Sequence, residues 1–178
     1  MLGSGACEIQ GVVRYPIEPF TDERGEIVEV FRAQWLPQFE PVQWNVMLSG
    51  RNVLRGVRCH IRHTDLLMMA SGTLTLGLVD LRSGSSSEGV SEVLELKPTA
   101  DVVVIPPGVA HGLYFPEQGT LVQAVTHTWS IDDEFGCRWD DPNLGLDWQC
   151  HDPVLSEGDR NAGTLADLRK LVNELMAR

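Results

Sequence analysis

Two stretches of this chain hold most of the residues able to do proton or metal chemistry. The first, Leu54 to Gly72 (LRGVRCHIRHTDLLMMASG), crowds Arg55, Arg58, His60, Arg62, His63 and Asp65 together and then turns apolar. The second, Asp101 to His111 (DVVVIPPGVAH), is an apolar run that ends in Pro-Pro-Gly and presents His111. Prolines and a glycine fix a tight turn, which points the next polar side chain inward. A third stretch, Phe20 to Phe31 (FTDERGEIVEVF), opens a strand-like run from an acidic-basic turn. Imidazoles near neutral pKa suit general acid-base work. His60, Asp65 and His111 also have the two-histidine, one-carboxylate composition of a metal centre, with His63 or His127 as substitutes. The cation of Arg58 opposes that metal reading unless it points away.

Elements that could position these residues follow from the pattern. Thr73 to Leu81 and Val90 to Leu96 alternate apolar with polar or small residues, as half-buried strands do. Ser83 to Ser87 reads as the hairpin loop between them. Ile27 to Phe31, Val42 to Leu48, Asp101 to Ile105 and Leu121 to Thr128 are further strands, with Gly and Pro punctuating at short intervals. Many short strands so spaced mean an all-β sandwich or barrel. One helix is expected last: Thr164 stands three residues before Asp167 as a capping pair. Leu165, Leu168, Leu171, Val172 and Leu175 follow as its apolar stripe. A short helical segment is also expected near Arg32 to Phe39.

Composition bounds the function. The 178 residues suit one domain, taken as 1–178, able to bury about 70% of its unfolded surface without disulfides or metal. A net charge of −11, with no Lys/Arg run, excludes a nucleic-acid role. Arginine predominates, since only Lys97 and Lys170 are lysines, and arginine favours bidentate phosphate contacts. No apolar run has membrane-span length, and Met1 to Ile9 lacks signal-peptide character. Cys7, Cys59, Cys137 and Cys150 form no CxxC pair. A reduced, cytoplasmic protein is expected.

Several residues carry bland readings. His151 and the Asp132-Asp133-Glu134 run are expected in solvated loops. Trp139 and Trp148 should cover a core edge, and Met68 and Met69 should fill the core. The setting of Cys59 between Arg58 and His60 could lower its pKa, but alternation points it away from the cavity.

The first two stretches resemble the paired motifs of the cupin jelly roll, with Arg58, His60, Asp65 and His111 at the metal-motif positions. A finer resemblance, over Val12 to Asp159, is to the dTDP-4-dehydrorhamnose 3,5-epimerase family. It rests on FTDERG with Glu29, Gln43-Trp44-Asn45, NVLRG at 52–56, VDLRSGSSSEG, IPPGVAHG, RWDDPNLGLDW at 138–148, and LSEGD ending at Asp159. The resemblance implies an all-β cupin jelly roll with a C-terminal helix, a homodimer, and no cofactor. It implies epimerisation of nucleotide-linked 4-keto-6-deoxy sugars, with Arg24 and Arg55 on the diphosphate and Glu29, Gln43 and Asn45 on base or sugar.

The family's catalytic His, Lys and Tyr positions are here Arg58, Asp65 and Gln123. A guanidinium, with a pKa above about 12, cannot be a base at neutral pH. Proton transfer is therefore reassigned. His60 or His111 is the base, Asp159 the orienting carboxylate and Arg58 the enolate stabiliser, with Tyr114 or His127 as replacement donors. Two alternatives stay open: a metal-dependent enzyme on His60, Asp65 and His111, and an inactive sugar-nucleotide binder.

Overall fold

The computed structural model describes residues 7–177. In chain order its strands begin with β1 (Val13–Pro16), β2 (Phe20–Asp22), β3 (Gly25–Ile27), β4 (Gln43–Ser49), β5 (Val53–Cys59) and β6 (Asp65–Ser71). They continue with β7 (Leu74–Asp80), β8 (Ser91–Leu96), β9 (Asp101–Ile105), β10 (Val109–Phe115), β11 (Gly119–Val125) and β12 (Phe135–Gly136). Two helices close the chain, α1 (Glu157–Arg160) and α2 (Leu165–Met176).

The strands form two antiparallel five-stranded sheets, ordered β1-β9-β6-β11-β4 and β12-β5-β10-β7-β8, plus a separate β2-β3 hairpin. Period-2 alternation assigns every strand residue to one face. Leu67, Met69, Val103, Ile105 and Leu121 from the first sheet meet Leu74, Leu76, Leu78, Leu113 and Phe115 from the second, making the core between the sheets.

Both outer faces are also covered. Ile17, Leu36 and Phe39 pack on Leu66, Met68, Val102, Val104 and Ala124. On the other side Trp148, Leu144, Leu165, Leu168 and Val172 pack on Val57, Cys59, Val79, Ala110 and Tyr114. Strands buried on both faces have no polar side to display, so β10 is buried at all its positions. The expected core roles of Met68, Met69 and Trp148 hold.

Two expected elements differ. Pairing of the third strand ends at Ile27, and Val28, Val30 and Phe31 instead lie against the outer face of the first sheet. The segment 32–39 is a pair of turns, Trp35 N–H to Arg32 C=O and Phe39 N–H to Leu36 C=O, both 2.9 Å. Pro37 disfavours the helical conformation at Leu36, so no helix propagates. The C-terminal helix forms as expected, with Thr164 Oγ1 accepting from Asp167 N–H. No helix among the described residues is long and apolar enough to cross a membrane.

The serine-rich β7–β8 connection is ordered by one carboxylate. Asp80, fully buried, accepts from Arg82 Nε at 2.8 Å and from the Ser85 and Ser87 hydroxyls, each at 2.6 Å. Burial alone would raise its pKa, but these donors hold it down at about 2. A carboxyl more acidic folded than unfolded stabilises the fold above pH ~4, and loses that contribution as pH falls towards 2. Asp80→Asn is expected to lower stability by roughly 2 kcal/mol at pH 7. Thermal unfolding of both proteins from pH 7 to 2.5 checks this: the gap between them should close on the acid side.

Candidate active site

At the end opposite the apolar core, the space between the sheets opens into a cavity of about 920 Å³. Gln43, Asn45 and Met47 reach it from β4 and Gln123 from β11. Arg55, Arg58, His60, His63 and His111 come from β5, the turn after it and β10.

The placement of both arginines depends on an irregularity in β5. His111 pairs with Arg58 while Leu113 pairs with Arg55, so β5 holds one extra residue there. Such a bulge resets alternation, and both Arg55 and Arg58 line the cavity. Gly56 makes this possible. Its φ is +105°, and a Cβ there would lie 2.9 Å from the carbonyl oxygen of His111.

Beyond the bulge, ordinary alternation sends Cys59 into the outer core and His60 into the cavity. Burial, with the nearby Asp133 charge, pushes the Cys59 thiol well up, so Arg58 does not activate it. Burial likewise pushes Cys137 up to about 12.

Three imidazoles gather on this wall. The rings of His60 and His63 stack at 4.1 Å between centroids, and those of His60 and His111 lie 5.3 Å apart. His60 Nδ1 donates to the backbone carbonyl of Asp133 at 2.9 Å. In the neutral ring Nε2 is then the lone-pair nitrogen. His63 Nε2 lies 3.5 Å from Asp65 Oδ2, and its Nδ1 lies 3.3 Å from Asp133 Oδ2 without completing a hydrogen bond. Burial works against the charged form of His63, but pairing with Asp65 and the charges of Asp133 and Glu134 outweigh it and raise its pKa. Burial pulls His111 down to about 4, leaving it a neutral imidazole at physiological pH. Burial would raise Asp65, yet His63, His111 and His60 bring it below the usual carboxylate range.

Arg58 is oriented by carboxylates. Its Nη2 lies 2.5 Å from Asp159 Oδ1, and its Nε lies 3.5 Å from Glu134 Oε2. Asp159 sits on α1, where Ser156 caps the helix by accepting from Asp159 N–H and donating to Asp159 Oδ2. A chain of amides lines the facing wall: Gln43 donates to Asn45, Asn45 to Gln123, and Gln123 to Asp65 at 2.8 Å. Arg55 donates from Nε to Ser49 Oγ at 3.0 Å and is in no ion pair among the described residues.

The fold thus brings together Arg55, Arg58, His60, His111, Gln43, Asn45 and Asp159. It leaves out Arg24 and Glu29. Arg24 pairs with Asp22 at the tip of the exposed β2-β3 hairpin, and Glu29 pairs with Arg32. That hairpin belongs to neither main sheet, so nothing in a single chain folds it over the cavity. Tyr114 faces the outer core and donates to Asn52, and His127 is exposed; neither lines the cavity.

The Asp132-Asp133-Glu134 run is not a solvated loop throughout. Asp133 is buried and accepts from the backbone N–H groups of Ile61 and Arg62, and Glu134 lines the cavity. Two freed N–H groups at the turn after β5 needed an acceptor, and sequence distance hid which residue supplies it. Trp129, also on the cavity wall, donates from Nε1 to Glu134. Its only sequence signal is an aromatic residue just past a cavity-lining strand.

A cavity between the two sheets, walled by imidazoles, amides and arginines, can bind a polar, anionic small molecule and exchange protons with it. The dTDP-4-dehydrorhamnose 3,5-epimerase family model matches residues 6–167, and the chain belongs to that family. It is 32% identical to the dTDP-4-dehydrorhamnose 3,5-epimerase of Pseudomonas aeruginosa, over 89% of this chain and 93% of that one. Among solved structures it is similar to a 3'-monoepimerase from Streptomyces bikiniensis in complex with dTDP-quinovose. There the identity is 27%, the TM-score 0.86, and the match covers 93% and 89% of the two chains. It is also similar to a 4-keto-6-deoxy sugar epimerase from the novobiocin cluster of Streptomyces spheroides, at 25% identity and TM-score 0.88, covering 96% and 91%.

Removing the Arg58 cation strands the buried Asp159 carboxylate. Arg58→Met is expected to destabilise by about 2 kcal/mol, and adding Asp159→Asn should recover most of that. A double-mutant cycle by urea unfolding checks it. In a thiol titration of the native protein, Cys7 and Cys150 should react well before the buried Cys59 and Cys137.

Proposed function

We propose that this protein is an isomerase that epimerises a nucleotide-linked, dTDP-type 4-keto-6-deoxy sugar by enolisation, in deoxysugar biosynthesis. The observation that carries this reading is the pair of cavity imidazoles, His60 and His111, facing the same space as Arg55 and Arg58. A 4-keto group acidifies the protons at C3 and C5. His60 or His111 takes one proton, the C–H electron pair passes into the enolate, and Arg58 stabilises the oxygen that becomes negative. A proton delivered by solvent water to the opposite face of the enolate inverts the carbon, and the base gives its own proton up to solvent. Asp159 positions Arg58. Arg55, in no ion pair among the described residues, meets the diphosphate, while Gln43 and Asn45 meet the base or sugar.

The same reading includes a homodimer. β4 is the edge of its sheet and presents Trp44, Val46 and Leu48 outward, and the β2-β3 hairpin exposes Phe20 and Ile27. An exposed apolar strip along a free edge needs a cover. A second copy laid there is the route by which Arg24 and Glu29 reach a cavity. A cytoplasmic setting fits four free thiols.

The test is incubation with dTDP-4-keto-6-deoxyglucose in D₂O, following C3 and C5 by NMR. Deuterium at either carbon is the expected result. Removing the working base, by His60→Ala or His111→Ala, should slow exchange about 10²- to 10⁴-fold. Exchange unaffected by both substitutions overturns the assignment of the base. Tight binding with no exchange on any ketosugar would make the protein a sugar-nucleotide binder instead.

A further inference from the structure

The three-imidazole wall contains more than acid-base chemistry needs. His60, His63 and Asp65 are all buried, and each offers one ligand atom within 4.8 Å of the others. An ion with bonds of 2.0–2.2 Å holds its ligands roughly 3–3.6 Å apart. His63 Nε2 and Asp65 Oδ2 already stand at 3.5 Å.

What distinguishes this cluster is its outer layer. Metal-binding histidines have their second ring nitrogen held by a carbonyl or carboxylate, which aims the first. Here one residue serves both rings: the Asp133 backbone carbonyl takes His60 Nδ1, and its carboxylate faces His63 Nδ1. Asp133 is itself held by the backbone N–H groups of Ile61 and Arg62. The third member is held too, since Gln123 donates to Asp65 Oδ1 and leaves Oδ2 towards the histidines. Arg58, whose cation would repel an ion, is paired with Asp159 and Glu134.

We propose that His60, His63 and Asp65 bind a divalent transition metal ion, with Asp133 and Gln123 as the residues that position them. Two imidazoles and one carboxylate suit Zn²⁺, Fe²⁺ or Mn²⁺. Binding itself is independent of the sugar reaction. Its role in that reaction rests on the reading above: with His60 held as a ligand, His111 would be left as the base, and the ion would supply Lewis-acid charge beside it.

The experiment is calorimetric titration of metal-stripped protein with Zn²⁺ and Mn²⁺, with metal analysis after dialysis and no sugar present. One ion per chain is expected. His63→Gln and Asp65→Asn should each weaken it at least about 100-fold, and Asp133→Asn by about 10- to 100-fold. His127→Gln and His151→Gln, on exposed residues, should change it by less than about twofold. Co²⁺-loaded wild type, which needs no variant to fold, should show hyperfine-shifted NMR signals from two imidazoles. Absence of stoichiometric binding, binding that survives His63→Gln or Asp65→Asn, or a Co²⁺ spectrum without those signals overturns the proposal. None of these outcomes depends on whether deuterium exchanges into a ketosugar.

Discussion

Charge compensation inside the cavity is the constraint around which the site is arranged. A carboxylate removed from water needs a partner, because its desolvation amounts to several kcal/mol. Asp65, Asp133 and Asp159 are buried, and Glu134 is half-buried beside them. Facing them are Arg58 and three imidazoles. Every local preference along this wall answers to that balance. Arg58 turns towards α1 because Asp159 is there. His63 lies between Asp65 and Asp133, whose charges favour its protonated form. The turn after β5 is closed by the Asp133 carboxylate because its backbone N–H groups would otherwise be unpaired.

The scaffold makes this arrangement affordable in structural terms by separating apolar and polar halves of one inter-sheet space. Leucine, valine and phenylalanine close one end. The other end is held open by side chains that prefer one another's hydrogen bonds to collapse, as in the amide chain from Gln43 to Asp65. Covering both outer faces, with the N-terminal segment on one sheet and the C-terminal segment on the other, leaves the cavity as the place where polar strand residues can point. The β4 edge is the exception, with its exposed apolar strip.

The three positions to which the resemblance assigns catalytic roles carry mutually supported side chains. Arg58 stands where the resemblance implies a histidine, and it forms an ion pair with the same Asp159 that the resemblance makes the supporting carboxylate. Asp65 and Gln123, at the other two, are hydrogen-bonded to each other.

Much of this protein was legible before any coordinates. Period-2 alternation is a local property, so β4, β7, β8, β9 and most of β11 were readable from it, as was α2 from its capping pair and stripe. The motifs also picked out Arg55, Arg58, His60, His111, Gln43, Asn45 and Asp159, all of which meet in one cavity. Local pattern failed where the decisive partner is far along the chain. Val28 to Phe31 pack on a sheet face rather than pair, and the turns at 32–39 are set by Pro37. Asp133 reads as a loop acid until the fold lays it against Ile61 and His63, some seventy residues away. Likewise, only the fold decides that His63, rather than His111 or His127, stands closest with His60 and Asp65, and that Arg24 stands apart on its hairpin. Alternation and capping act between near neighbours, so the sequence alone determines them. Compensation of buried charge acts between whichever groups the sheets bring together, so the tertiary structure decides it.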